Sequence, residues 1–540
     1  MSRFLSVGLG GSIHDFATVV ADETMILWGL EDERITRHRH AIGSTDPLRP
    51  SFEVARASFS EIQAKEAKIV ANDVLRDIPL VSEIGAELIN HHLSHAYSVF
   101  FTSRFEKSAI LVIDGAGSVS AASETSHLRE ATTVYLGDGN NVRTLGSVSG
   151  TKLSPRDVNA FDFPASDSLG GFYEQATVCC GYSPCQEGKT MALASYGDDR
   201  FVRSFLARLD FPGGLTYTID FHGPNGFRNL FDSLNDEYGV GDLMPFDVRA
   251  AIARAAQELV EVVLSHILRW TYDQTQCENL CVAGGVALNA TVMGKLGRIS
   301  PFRQFSVVSC PGDSGTAVGA AIYGQLASQP GSAARRWHMT PYLGPTHDLP
   351  CDSEGELECV YEFSTLKSGA RYVFDLLERG EIVACFRGRS EFGPRALGNR
   401  SILAHPGVPG ITARMNEVKS REWFRPVSPA AILSDRDGYD QGERLMQYAR
   451  PGANLDFSDR SCWHVDGSAR VQAVTCESHD FLWELLQNFN GTGASAVLNT
   501  SFNIAGEPIV ETRADAVSTF QRSSIDALLI EDKIYRKAAV

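Results

Sequence analysis

The residues that could do chemistry fall into two groups far apart in the chain. The first is made of histidines and aspartates. In Asn90-His91-His92-Leu93-Ser94-His95-Ala96, His91 and His95 stand four apart, which puts both imidazoles on one face if the segment is helical. Two imidazoles so placed can share one metal ion, or simply cover a helix surface. A mononuclear site needs further ligands, and Asp114 and Asp313 each follow an apolar stretch and open a glycine turn. Either carboxylate could complete a ligand set or only stabilise its own turn. His14 and Asp15 form another pair, in the turn 11–15. This histidine, with an ordinary pKa near ~6.5, could act as the base for a hydroxyl, or the turn could only bind substrate or phosphate.

The second group is cationic. Between residues 387 and 425, eight basic residues (Arg387, Arg389, Arg395, Arg400, Arg414, Lys419, Arg421, Arg425) face three acidic ones (Glu391, Glu417, Glu422), in a chain whose formal charge is −17. Interspersed glycine and proline make the run a poor solvated helix face. It suits a rigid loop for a polyphosphate, because guanidinium forks pair with phosphate oxygens; the alternative is a solvated charge run. Downstream, Arg470 beside the turn 465–470 adds a cation, and Leu498-Asn499-Thr500-Ser501-Phe502-Asn503 adds hydroxyls and amides suited to a nucleotide.

Alternating strands and helices must position these groups. FLSVGLGGSIHDFATVV at 4–20 and AILVIDGAGSVS at 109–120 each run an apolar strand into a glycine turn, like two copies of one device. Glycine there lets backbone N–H groups approach an anion. A third turn, CVAGGVALN at 281–289, leads into a helical pattern. Together the three turns resemble the phosphate and adenosine loops of the actin, sugar-kinase and Hsp70 ATPase superfamily. That resemblance implies two α/β lobes and nucleotide contacts at Gly115, Gly284, Gly285 and Asn289. Residues 249–270 read as a long helix, 304–309 as a strand, and the next helix runs to about 326. A Pro/Gly/Ser-bearing stretch at 328–346 then reads as a linker. Beyond it, helices over 368–379, 479–488 and 514–522 and strands over 382–386, 430–433, 471–474, 496–498 and 527–530 predict a separate C-terminal α/β domain. The domain limits are 1–340, a linker at 341–364, and 365–540.

Composition narrows the classes. With 43% hydrophobic and 21% charged residues among 540, the chain can bury sizeable cores. The acidic balance disfavours nucleic acid and anionic membranes as partners. No apolar run approaches the ~18 residues of a membrane span, so a cytoplasmic protein is expected. Eleven cysteines cannot all pair, and reduced thiols are expected. Cys179, Cys180 and Cys185 could form a metal knot or be ordinary buried thiols.

Across nearly the whole chain the motifs occur in an order that resembles the O-carbamoyltransferases of antibiotic biosynthesis and nodulation-factor modification. They are HHLSHA at 91–96, VIDGAG at 112–117, EGKTMALASYG at 187–197, AGGVALN at 283–289, GDSGTAVGAA at 312–321, GRSEFGPRALGNRSIL at 388–403, FRPVSPA at 424–430 and LNTSFN at 498–503. The resemblance implies an N-terminal domain like the threonylcarbamoyl transferases and a C-terminal domain like the threonylcarbamoyl-adenylate synthases. The latter would make carbamoyl adenylate from ATP and carbamoyl phosphate, with Mg2+ as companion of ATP. The former would pass the carbamoyl group to a hydroxyl of a small natural product. By the same resemblance His91, His95, Asp114 and Asp313 would hold a divalent metal, usually Fe2+. Arg395, Lys419, Arg425, Arg470, Ser501 and Asn503 would form the adenylate. Glu187 and Lys189 of the EGK motif would bind adenylate or form a surface pair. Two separated sites would require a closed passage for the labile adenylate. The chain departs from the family pattern in carrying MALAS where members have an MGLA-type run, and FRPVSP for FRPFAP, which bears on pocket shape. A small-molecule or sugar kinase is the alternative enzyme, and an idle metal- or nucleotide-binding regulator a further reading. A homodimer is the default assembly.

Overall fold

A computed structural model of the chain describes residues 4–119, 128–151, 167–329, 333–347, 351, 354, 356–433, 441–451, 463–489 and 495–538. The chain divides into two compact units, Met1–Ile26 with Ala55–Met339, and Leu27–Val54 with Thr340–Val540. Both are mixed α/β.

In the first unit, β1 (Ser6–Gly10) pairs antiparallel with β2 (Ala17–Ala21), and β3 (Ile26–Glu31) carries the chain out of the unit. The chain returns to form β4 (Lys68–Asn72), parallel to β1, and β5 (Glu87–Ile89), parallel to β4. A second sheet repeats that plan. β6 (Lys107–Ile113) pairs antiparallel with β7 (Leu128–Asp138), which pairs with β8 (Asn141–Thr151). After the hairpin β9 (Leu209–Gly213) and β10 (Thr216–Ile219), β11 (Asn279–Ala283) joins β6 in parallel and β12 (Gln304–Ser306) joins β11. The order β2-β1-β4-β5 therefore matches β7-β6-β11-β12, and the two similar glycine turns of the sequence lie at equivalent strand ends. β1 is buried throughout and β6 from its second residue, as parallel strands covered on both faces are.

Helix packing in this unit depends on glycine. A Cβ at Gly8 or Gly10 of β1 would lie 1.9 Å from Ala317 O or 2.2 Å from Ala317 N in the helix Thr316–Ser328. The other side of that helix meets the helix His91–Phe101, where Gly319 abuts Ser94. The predicted long helix spans Phe246–Thr275, with its alanines buried.

The second unit is built on β13 (Leu357–Glu362), β14 (Val383–Phe386), β15 (Arg400–Ala404), β16 (Ser428–Ile432), the short pair β17 (Arg450–Pro451) and β18 (Ser468–Ala469), β19 (Gln472–Val474), β20 (Ala496–Ser501), β21 (Ala527–Ile530) and β22 (Lys533–Lys537). Eight of these form one mixed sheet in the order β13-β22-β21-β14-β15-β20-β16-β19. Alternate residues face opposite layers. Ile402 and Leu528 pack with Met415 and Phe520 of the helices Ile411–Val418 and Arg513–Arg522. Leu403 and Leu529 pack with Phe374 and Leu485 of Leu366–Glu378 and Asp480–Gln487.

Three expectations are corrected. The motif run 388–403, read as a loop, ends in β15, near the middle of the sheet, because ArgSerIleLeuAla buries every residue. The segment 341–364 is not a plain linker: Pro341 O accepts from Phe392 N, Gly344 N donates to Ser390 O, and β13 lies within it. The division near 340 agrees with the units, which change over between Met339 and Thr340, but residues 27–54, placed in the first domain by the sequence reading, belong to the second unit. Arg34 donates to the Glu31 carboxylate and to Gly393 O, Arg389 donates to Leu27 O, and Arg37 donates to Pro508 O and Ile509 O. Among the described residues no helix is long and apolar enough to cross a membrane.

Candidate functional sites

The helix His91–Phe101 begins where Asn90 caps it, its Oδ1 accepting from Leu93 N at 2.8 Å. The backbone N–H of His91 donates to Ser118 Oγ at 2.9 Å and Asp73 Oδ1 at 3.2 Å, which locks the first turn. His91 and His95 then project from one face, with ring centroids 4.8 Å apart. Asp114 follows β6, and Asp313 starts the turn leading into Thr316–Ser328.

All four side chains are buried, and one ligand atom from each lies within 4.8 Å of the others. His91 Nε2 is 3.1 Å from Asp114 Oδ2 and 3.6 Å from Asp313 Oδ1; His95 Nε2 is 3.7 and 3.6 Å from the same two atoms. His95 Nε2 has no hydrogen-bond partner although it is buried, a costly state for an imidazole facing two carboxylates. Burial opposes charge on His91, yet its bonds to Asp114 and Asp313 prevail and raise it to about 10. Burial likewise opposes ionisation of Asp114, but the two imidazoles hold it well below the usual carboxylate range. Two imidazoles and two carboxylates converging in a buried pocket are a donor set for a divalent transition metal. His92 serves differently. Its Nδ1 bonds Thr133 Oγ1 at 2.7 Å, burial pushes it down to about 3, and its ring fills the place of any Cβ on Gly117.

The glycine-turn residues act mainly as supports. Gly285 N donates to Asp114 Oδ1 at 3.1 Å, and a Cβ on Gly284 would strike Ile113 O at 2.1 Å. Asn289 caps the helix Ala290–Gly294 and bonds Gln257. These three residues, which the sequence reading gave to a nucleotide, thus also have structural contacts within the first unit. Gly115 keeps open space where its Cβ would be. His14 Nδ1 lies 3.0 Å from Asp15 Oδ2. Burial opposes its charge, but Asp15 first, then Asp313 and Asp114, raise it to about 10. Glu187 Oε1 accepts from Cys185 N, and Lys189 packs 5.3 Å over the Tyr182 ring. Cys179 and Cys180 are buried thiols, the first pushed up to about 12 by burial; among the described residues no metal-competent cluster includes a cysteine.

In the second unit the basic run separates into two kinds. Arg400 lies 3.6 Å over Phe386 and donates to Arg387 O, Asn399 O and Gly388 O. Arg387 packs on Phe481, Arg389 donates to Gly344 O and Leu343 O, and Arg414 pairs with Asp526. These four hold the fold. Arg395, Lys419, Arg421, Arg425 and Arg470 form the other kind. Lys419, at the end of the helix Ile411–Val418, donates to Ser501 Oγ at 3.0 Å and Asn503 Oδ1 at 2.6 Å, so the end of β20 joins the cations. Burial pushes the Lys419 amine well down, and Arg421 and Arg425 push further. Burial together with Arg395, Arg425 and Arg421 does the same to Arg470. Burial and then Arg425 lower Arg395 and Arg421. Arg425 has Glu422 at 3.7 Å and Arg470 donates to Ser428 Oγ at 3.2 Å; five cations gathered about one acidic group suit an anion of several charges. Arg421 lay within the basic run but nothing in the sequence distinguished it from the four structural arginines.

Two family models match: carbamoyltransferase N-terminus over residues 65–322 and carbamoyltransferase C-terminus over residues 374–537. Nodulation protein NolNO of Sinorhizobium fredii is 32% identical, over 97% of this chain and 79% of its own. A 3'-hydroxymethylcephem-O-carbamoyltransferase of Amycolatopsis lactamdurans is 28% identical, over 97% of this chain and 98% of its own. Among solved structures, full-length HypF in its phosphate- and nucleotide-bound form aligns at 11% identity and TM-score 0.40, covering 61% of this chain and 58% of that one. The chain belongs to the carbamoyltransferase family. It is an enzyme of the O-carbamoyltransferase kind.

Proposed function

We propose that the chain catalyses ATP-dependent O-carbamoylation in two half-reactions, one in each unit. The second unit takes ATP, with Mg2+, and carbamoyl phosphate. Water hydrolyses carbamoyl phosphate to carbamate and phosphate, and a carbamate oxygen attacks the α-phosphorus of ATP; the bond from that phosphorus to the α,β-bridging oxygen breaks, pyrophosphate leaves with that oxygen and carbamoyl adenylate forms. In the first unit the hydroxyl of a small-molecule acceptor attacks the carbamoyl carbon, AMP leaves, and the hydroxyl proton passes to a base or solvent.

The observation that carries the reading is the cluster of buried Lys419 with the half-buried Arg395, Arg421, Arg425 and Arg470, each of which bears on a neighbour's proton. Adenylation brings two anions together, and fixed cations lower the barrier where charge develops on phosphorus and on the departing pyrophosphate. Ser501 and Asn503 hold Lys419 in place through its ammonium hydrogens. The doubled strand order of the first unit supports an actin/Hsp70-type two-lobed fold. The mixed sheet of the second is read as adenylate-synthase-like.

His91, His95, Asp114 and Asp313 would hold Fe2+ or another divalent metal, and the buried, unpartnered Nε2 of His95 fits that assignment. A metal there supplies a Lewis acid for a carbonyl or phosphoryl oxygen. His14, protonated beside Asp15, suits a contact with the phosphate of the adenylate. The acceptor is a hydroxyl-bearing natural product, and antibiotic biosynthesis in the cytoplasm is the expected setting.

The test is pyrophosphate release from ATP by the purified chain. Release that requires carbamoyl phosphate and disappears in Arg395→Ala supports adenylation. A sugar-kinase activity, which is not favoured because it leaves the cationic cluster without work, would instead make ADP independently of carbamoyl phosphate.

A further inference from the structure

The segment 27–54 leaves one unit, runs through the other, and returns. Within it, Arg37, His40, Ala41 and Leu48 all adopt left-handed backbone, with φ of 59°, 59°, 50° and 71°. Four non-glycine residues in that region within twelve positions need strong anchors, and the anchors are visible. Arg34 is fully buried, bonded to Glu31 and to Gly393 O, two residues before Arg395. Arg37 donates to Ile509 O at 2.7 Å and Pro508 O at 3.0 Å. The neighbouring Glu507 O accepts from Asn503 Nδ2 at 2.7 Å, while Asn503 Oδ1 accepts from Lys419 Nζ. A hydrogen-bonded path thus runs from Arg37 to the ammonium at the heart of the cationic cluster. His40 N donates to Glu33 Oε2 at 2.6 Å, closing the turn around residue 39.

Arg39, inside this anchored turn, is exposed. Its guanidinium has no protein partner among the described residues, unlike the structural arginines around it. It nevertheless lies close enough to Lys419 to add to the pressure against that group's proton. A strained, doubly anchored turn that holds a cation beside other cations is built to oppose an anion.

We infer that Arg39, delivered by the N-terminal excursion, is a further binding residue of the polyphosphate site in the second unit, contacting the triphosphate of ATP. The inference rests on reading that cluster as a polyphosphate site. It implies that residues far upstream of the C-terminal family match complete the adenylating site.

The experiment uses the full chain, with inorganic tripolyphosphate as probe in isothermal titration calorimetry at two KCl concentrations, and pyrophosphate release as the second readout. A charge-assisted bond to one phosphate oxygen predicts that Arg39→Ala weakens tripolyphosphate binding about tenfold or more. Arg39→Lys recovers part of the loss, and the salt dependence becomes shallower. The unfolding temperature stays that of the wild type, because no protein contact is removed. Arg39→Ala that binds tripolyphosphate as the wild type does, while Arg421→Ala fails, overturns the inference. Wild-type protein that does not bind tripolyphosphate overturns it as well. Binding that depends on Arg39 without any pyrophosphate release would uphold the inference while refuting the adenylation reading.

Discussion

Gly319→Ala tests how the helix that carries His91 and His95 is held. A Cβ at this position would lie 1.8 Å from Ser94 O and 2.6 Å from Ser94 C. Ser94 sits between His91 and His95. A carbon and a carbonyl oxygen keep a distance of about 3.3 Å, so the two helices must part by about 1.5 Å. Both groups in conflict are backbone or attached directly to it, and no rotamer change relieves the clash. Overpacking of this kind costs about 1–3 kcal/mol, which lowers the unfolding temperature by roughly 2–10 °C in a unit of this size. Ligand distances tolerate only about 0.2 Å, so a shift of that size separates the His91 and His95 nitrogens from Asp114 and Asp313. The assay is differential scanning calorimetry, followed by iron content per chain after ferrous loading and desalting, by plasma mass spectrometry. Gly297→Ala is the control, since its Cβ would meet only Phe305 Cε2 at 4.0 Å. A Gly319→Ala protein with wild-type unfolding temperature and iron content refutes the reasoning.

Asp313→Asn removes one carboxylate charge from the cluster with little change of shape, and iron content after the same loading should fall below half the wild-type value. Arg400→Ala takes a donor from Arg387 O, Asn399 O and Gly388 O and the guanidinium from the face of the buried Phe386, and should destabilise the protein by on the order of 2 kcal/mol, whereas Arg395→Ala should abolish pyrophosphate release with a smaller change in unfolding temperature; calorimetry beside the release assay separates the two. Lys419 is pushed below its ordinary 10.5 by burial and neighbouring cations, and an anion favours its protonated form. Tripolyphosphate binding should therefore take up a proton and weaken as pH rises, which calorimetry in buffers of different ionisation enthalpy reads directly. Burial also lowers Arg395, Arg421 and Arg470, so Lys419→Met should reduce the proton uptake without removing all of it. The sign for folding is opposite: a depressed lysine means the folded state binds fewer protons than the unfolded state, so its share of stability grows with pH.

Much of the site could be read before folding because its parts are local. Spacing of four on a helix places His91 and His95 together, and a glycine turn after an apolar strand places Asp114 at a strand end. The excess of arginine and lysine at 387–425 marks an anion site in an acidic chain. Composition and hydrophobic periodicity likewise located five of the ten described strands of the C-terminal unit and the helices Leu366–Glu378, Asp480–Gln487 and Arg513–Arg522, since buried strands and amphipathic helices carry their burial in their residue pattern.

Tertiary structure decided which residues of each class do which work. Arg387, Arg389, Arg400 and Arg414 share the run with Arg395 and Lys419, yet they meet rings, carbonyls and Asp526, partners contributed by strands and loops far away in sequence. Gly284, Gly285 and Asn289 proved to brace Ile113, Asp114 and Gln257, because strand pairing brings β11 beside β6. The assignment of 27–54 to the second unit left no mark in composition. It depends on Arg34 and Arg37 finding carbonyls more than 350 residues away. Spacing within a helix or a strand is written in the sequence because its geometry repeats from residue to residue; the identity of a buried cation's partner is not, because it is set only when distant segments pack.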